Sequence, residues 1–126
     1  MGADRYALEL TRIHEVVRWP ALTALPGAPP GVLGVMNLRG EVVPVLDTAA
    51  LLGTGSVARA GFAVVADLEA GLVALAADGE PETIELGEPA GPSELDAGVG
   101  RFAVRDGVVA LLDLDALVDP ERVGAT

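Results

Sequence analysis

Arg39 sits at an Arg-Gly step between two β-rich runs, 32–38 and 41–47. A guanidinium beside a turn in apolar sequence calls for a carboxylate, and a bidentate glutamate serves well. Glu15 is the one acid between Glu9 and Glu41, so it is the expected partner. Such a pair offers recognition rather than turnover, and the remaining inventory agrees. His14 is the single histidine, Ser56 and Ser93 are the only serines, and there is no cysteine. Both serines lie in linker-like sequence, so no nucleophile–base constellation is indicated. The absence of cysteine excludes disulfides, thiolate metal sites and a catalytic thiol. Asp113, Asp115 and Asp119 lack the Gly-turned loop of a calcium site and read as helix capping and solvated charge. The Gly-rich stretch 98–100 lacks the strand–loop–helix setting of a phosphate cradle. Neither a cofactor nor a metal is expected, and the chain does not read as an enzyme.

The elements around these residues are short. Tyr6–Leu10 alternates as a strand, and a turn at 11–13 leads to a second strand around 15–19, closed by Pro20. Residues 20–31, broken by Pro26, Gly27, Pro29 and Pro30, form a loop. The hairpin at 32–47 feeds a helical pattern at 48–52 that stops on Gly53. Residues 53–61 read as a linker. A hairpin of 62–68 with 72–77, a strand near 83–86, a loop over 87–100, a last hairpin and a closing helix at 114–118 follow. Short, closely spaced strands with turn signals indicate an all-β architecture.

The chain also repeats itself. Residues 42–53 match 108–119 without a gap, with Val, Val, Leu, Asp, Ala and Leu at corresponding places. The preceding Gly-containing turns, Arg39-Gly40 and Asp106-Gly107, align one residue apart. The repeat argues for two similar halves, about 1–58 and 59–121, open to strand exchange, with 120–126 as a tail. By that symmetry Tyr6–Leu10 corresponds to Leu72–Ala77 and lacks the strand that precedes its twin. An open edge there would invite self-association.

The block Asn37-Leu38-Arg39-Gly40-Glu41-Val42-Val43-Pro44-Val45-Leu46-Asp47, with the Pro26–Pro30 loop before it, resembles the CheW family of chemotaxis coupling proteins. The likeness runs over about residues 5–119. It implies a single all-β CheW-like domain of two small SH3-like β-barrels sharing a core, with short helices. It also implies a cytoplasmic adaptor that bridges a chemoreceptor's coiled-coil tip to the regulatory domain of a CheA-type histidine kinase. The family's arginine falls on Arg39, its acid on Glu15 and its apolar neighbour on Ile13, with Asn37, Leu38 and Gly40 completing the expected partner-binding set. An apolar groove between the halves would take the receptor helix. The chain departs from the family pattern in lacking most of the first strand and in the acidic, Pro-containing segment 78–82. The alternatives are a detached CheA-like kinase regulatory domain and an unrelated β-barrel peptide-binding module. The second would want an aromatic groove, and the chain has only Tyr6, Trp19, Phe62 and Phe102.

Charge narrows the partners. Residues 1–59 hold five Arg against five carboxylates, whereas 60–126 hold three against fourteen. The acidic half repels phosphate backbones, which argues against nucleic acid and anionic membranes. It either aids solubility or steers a basic partner. The apolar runs are far too short for a membrane span, and no signal peptide opens the sequence.

Overall fold

The computed structural model describes residues 5–54, 60–93 and 97–119. Ser56 and the tail expected at 120–126 lie outside them. Among the described residues nine strands form two sheets. The first runs in the order β2 (Ile13–Arg18), β5 (Phe62–Leu68), β6 (Gly71–Ala77), β4 (Glu41–Leu46), β3 (Val32–Leu38). The second runs β1 (Tyr6–Ala7), β9 (Gly107–Leu112), β8 (Gly98–Val104), β7 (Pro89–Gly91). Two short helices, α1 (Thr48–Leu52) and α2 (Leu114–Leu117), follow β4 and β9. The all-β class and the short helices agree with the sequence. The expected barrels are present as two sheets, neither of which closes on itself among the described residues.

A spacing of 66 residues governs the architecture. Leu33 is bulged between the pairs Val32–Leu46 and Gly34–Val45, and Val99 is bulged between Gly98–Leu112 and Gly100–Leu111. Asp47 N–H donates to Gly31 O at 2.9 Å, and Asp113 N–H donates to Ala97 O at 2.7 Å. Each aspartate then caps a helix. Asp47 Oδ1 accepts from Ala50 N–H, and Asp113 Oδ1 from Asp115 and Ala116 N–H. Both strand partners recur as well. Val45 pairs in parallel with Ala74 of β6, and Leu111 pairs in parallel with Ala7 of β1. On the other flank, Val35 bridges Thr23 as Arg101 pairs with Gly91. At the first of these crossings Gly34 is required, because a Cβ there would sit 2.8 Å from Thr23 O. The hairpin turns also correspond. Leu38–Glu41 flanks Arg39-Gly40 and Val104–Gly107 flanks Arg105-Asp106, so the structure removes the one-residue offset.

The central strands β5 and β6 are buried on both faces, which explains their unbroken apolar runs. Ala63, Val65 and Ala74 join Met36, Val43 and Val45 in one cluster, with Trp19, Leu38 and Leu72 against it. Val64, Ala66 and Leu75 face a second cluster. That cluster takes Leu46, Leu51 and Leu52 from the first repeat and Leu112, Leu114 and Leu117 from the second. Both helices therefore plug the same core.

Three expectations need correction. The first strand ends at Ala7, because Leu10 enters a 3-10 turn spanning Leu10–Arg12. Residues 83–86 form no strand. The β8 edge they would need is taken by the next segment: Gly87 N–H donates to Ala103 O, Ala103 N–H donates to Glu88 O, and β7 follows. The loop expected over 87–100 thus contains β7 and the start of β8. No helix among the described residues is long and apolar enough to cross a membrane.

Candidate functional site

The Arg39-Gly40 turn is a two-residue hairpin loop with positive φ at both positions, 49° and 88°, the signature of a type I′ turn. Asn37 Oδ1 accepts a 2.7 Å bond from Gly40 N–H across it. From this turn the Arg39 guanidinium reaches β2 and donates to both carboxylate oxygens of Glu15: Nη2 to Oε1, and Nη1 to Oε2 at 3.4 Å. Arg39 hydrogen bonding holds the Glu15 carboxyl below the ordinary glutamate range. Partial desolvation opposes this, and the charges of Arg39 and His14 reinforce it. His14 Nε2 lies 3.6 Å from Glu15 Oε1.

The Arg39–Glu15 pair expected from sequence forms, with its two members unequally buried. The Glu15 side chain is 27% exposed, but that of Arg39 is 68% exposed. An exposed ion pair contributes little to folding. It does, however, fix the direction of a cation. Leu38 packs below the turn against the cluster that holds Met36, Val43 and Leu72. The structure thus gathers Glu15, Asn37, Leu38, Arg39 and Gly40 at one hairpin tip.

Ile13 belongs elsewhere. The pairing with β5 shifts between Ile13 and Glu15, and Ile13 packs against the cluster that holds both helices. It also lines a cleft of about 690 Å³. One wall of this cleft is the N-terminal segment around Leu8 and Leu10, and the other is the irregular segment through Ile84 and Leu86. Val16 contributes from β2 and Val109 and Leu111 from β9. Leu10, Val16, Ile84 and Leu86 are all exposed apolar side chains. Glu9, Asp78, Glu80 and Glu82 also line the cleft, against Arg5.

Sequence reasoning missed these wall residues. Their signal is the alternation of Ile84 and Leu86, which looked like a strand. It also missed two ion pairs that tie the N-terminal segment to the second repeat. Arg5 Nη1 donates to Asp106 Oδ1 at 2.8 Å. Arg12 grips both oxygens of Asp115, at 2.9 and 3.3 Å, while its Nε donates to Asp67 O. These partners stand 101 and 103 residues away in sequence, where no local spacing could reveal them. Among the described residues no cluster of His, Asp and Glu could hold a metal ion.

Comparison with known proteins fits this architecture. The CheW-like domain family matches residues 1–122. The probable chemotaxis protein CheW of Rhizobium etli is 29% identical over 128 residues, covering 93% of this chain and 82% of that protein. The chemotaxis protein CheW of Rhizobium meliloti is 26% identical over 132 residues, covering 97% and 85%. The crystal structure of the scaffolding protein TtCheW from Thermoanaerobacter tengcongensis superposes with a TM-score of 0.82 at 23% identity, over 99% of this chain and 90% of that one.

Proposed function

We propose that this protein, which belongs to the CheW-like domain family, is a cytoplasmic adaptor that couples chemoreceptors to a CheA-type histidine kinase in bacterial chemotaxis. As a member of that family it is a scaffold and not an enzyme. The observation that carries the reading is the hairpin tip, where Arg39 is aimed by Glu15 beside an apolar base at Leu38. Glu15, which holds Arg39, is followed on β2 by Val16, a residue of the open apolar cleft, so one strand carries both the anchor of the fixed cation and part of the groove.

In this reading the cleft takes one face of a receptor helix. Its apolar walls suit an i, i+3, i+4, i+7 stripe. Its carboxylates, Glu9, Asp78, Glu80 and Glu82, suit Lys or Arg flanking that stripe. Binding should then weaken as sodium chloride rises. A flat response would leave the acidic excess to solubility alone. The outer edge of β1, at the end of its sheet, is the proposed route of self-association. Sedimentation against concentration tests it.

The role itself is tested by mixing a receptor-tip fragment, the kinase regulatory domain and this chain on a sizing column. An adaptor yields a ternary peak that is missing when the chain is omitted. Binding of only one partner, or of neither, contradicts the assignment.

A further inference from the structure

The two hairpins are an internal comparison that isolates what aims Arg39. At the spacing of 66 residues, Asn37, Leu38, Arg39, Gly40 and Glu41 correspond to Ala103, Val104, Arg105, Asp106 and Gly107. Both turns therefore carry an arginine at the same place. Yet Arg39 is the only non-glycine residue with positive φ among those described, so Arg105 does not adopt that conformation. Left-handed φ is unfavourable for a residue with a Cβ, and it persists where neighbours over-determine it. Arg39 is paired with Glu15, whereas among the described residues the exposed Arg105 makes no ion pair and its neighbour Asp106 bonds to Arg5 instead.

The two turns differ in two respects that bear on this, Gly40 against Asp106 and Asn37 against Ala103. Asn37 supplies an acceptor oxygen to Gly40 N–H. Ala103, in the same place, has none. A Gly at the second central position accepts positive φ freely, but it does not select it. The side-chain bond does, because it closes only when the Gly40 N–H points back toward the strand.

We propose that Asn37 is a positioning residue, which through its bond to Gly40 N–H holds the turn in the left-handed geometry that carries the Arg39 guanidinium to Glu15. The functional consequence rests on the hairpin tip being a partner surface. The positioning is a property of the free chain and is tested there.

The experiment follows the Glu15 carboxyl by carbon-detected NMR as pH is varied, in the whole chain, for wild type, Asn37→Ala and Asn37→Asp. Scalar and dipolar couplings report the Arg39 φ in the same samples. In wild type Glu15 should titrate below the ordinary glutamate value. In Asn37→Ala its midpoint should rise toward that value and Arg39 should leave positive φ. Asn37→Asp keeps the acceptor and should restore both, even though its added charge works against a low Glu15 midpoint. An unmoved midpoint and φ in Asn37→Ala overturn the proposal.

A transplant does not depend on how well Asn37→Ala folds. Asp106→Gly alone should leave Arg105 at negative φ and Ala103→Asn with Asp106→Gly should bring it to positive φ; an Arg105 that stays negative in the double variant, or that is already positive in Asp106→Gly alone, overturns the proposal. A freed Glu15 with unchanged partner affinity supports the positioning role and removes Arg39 from the interface.

Discussion

Leu51 and Leu117 occupy corresponding places in the two repeats, each almost wholly buried, in α1 and α2 of one shared cluster. Leu117→Ala is therefore a probe of whether the halves share one core or merely touch. The side chain loses three carbons, worth about 0.8 kcal/mol each in transfer, or about 2.4 kcal/mol. Incomplete collapse of the cavity raises this to roughly 3–4 kcal/mol. For a chain of this length the melting temperature should fall by roughly 10 °C or more. Trp19, the one tryptophan, packs against the other cluster, which joins Met36, Val43 and Val45 to Ala63, Val65 and Ala74. It reports on the cluster that does not contain Leu117. If the fold is one cooperative unit, Leu117→Ala should shift the urea transition equally by Trp19 fluorescence and by far-ultraviolet circular dichroism. A Trp19 midpoint that stays at the wild-type value, while dichroism shows an early step, would refute the shared core.

Other tests bear on the ion pairs, the caps and the close approach. Glu15, Asp106 and Asp115 all have carboxyl pKa values lowered by hydrogen bonds from Arg39, Arg5 and Arg12. Their stabilisation is present above the ordinary carboxylate pKa and is lost as pH falls through the lowered folded values. The acid side of the stability profile should therefore flatten in Arg12→Gln, and urea midpoints between pH 6 and 3 check this. Asp113→Ala removes the acceptor for two helix N–H groups and should cost about 1 kcal/mol by chemical denaturation. Gly34→Ala brings a Cβ against Thr23 O and should lower the melting temperature, whereas Gly53→Ala, with nothing near its Cβ, meets only the backbone cost of its left-handed φ.

What the sequence made legible was what local pattern and repetition encode. The hairpin at 32–47, the helix at 48–52 and the pair 62–68 with 71–77 all form within a residue of expectation. Each has its own turn, cap or stop signal. The Arg39–Glu15 pair was legible by scarcity of acids nearby. The misses share a physical cause, which is long-range pairing that leaves no side-chain pattern. Strand β7 is Pro-Ala-Gly, exposed at all three positions, and is held by backbone bonds to β8. Only the 66-residue correspondence with Thr23 could have pointed to it. Ile84 and Leu86 alternate as in a strand, but their segment lines the cleft instead of joining a sheet. Ile13 joins the Arg39 set through the family resemblance, as the apolar neighbour of Glu15. The register shift between Ile13 and Glu15 separates them, and no spacing rule reveals that shift.

The central claim is that the Arg39 tip meets the partner. The most direct measurement is the calorimetric affinity of the full chain for the receptor-tip fragment and for the kinase regulatory domain, wild type against Arg39→Glu. Circular dichroism confirms the fold in the same samples. Native dichroism is expected, with at least about a tenfold loss of affinity for one of the two partners, because a reversed charge faces a surface matched to a cation. Unchanged affinity for both partners, with a native spectrum, would contradict it.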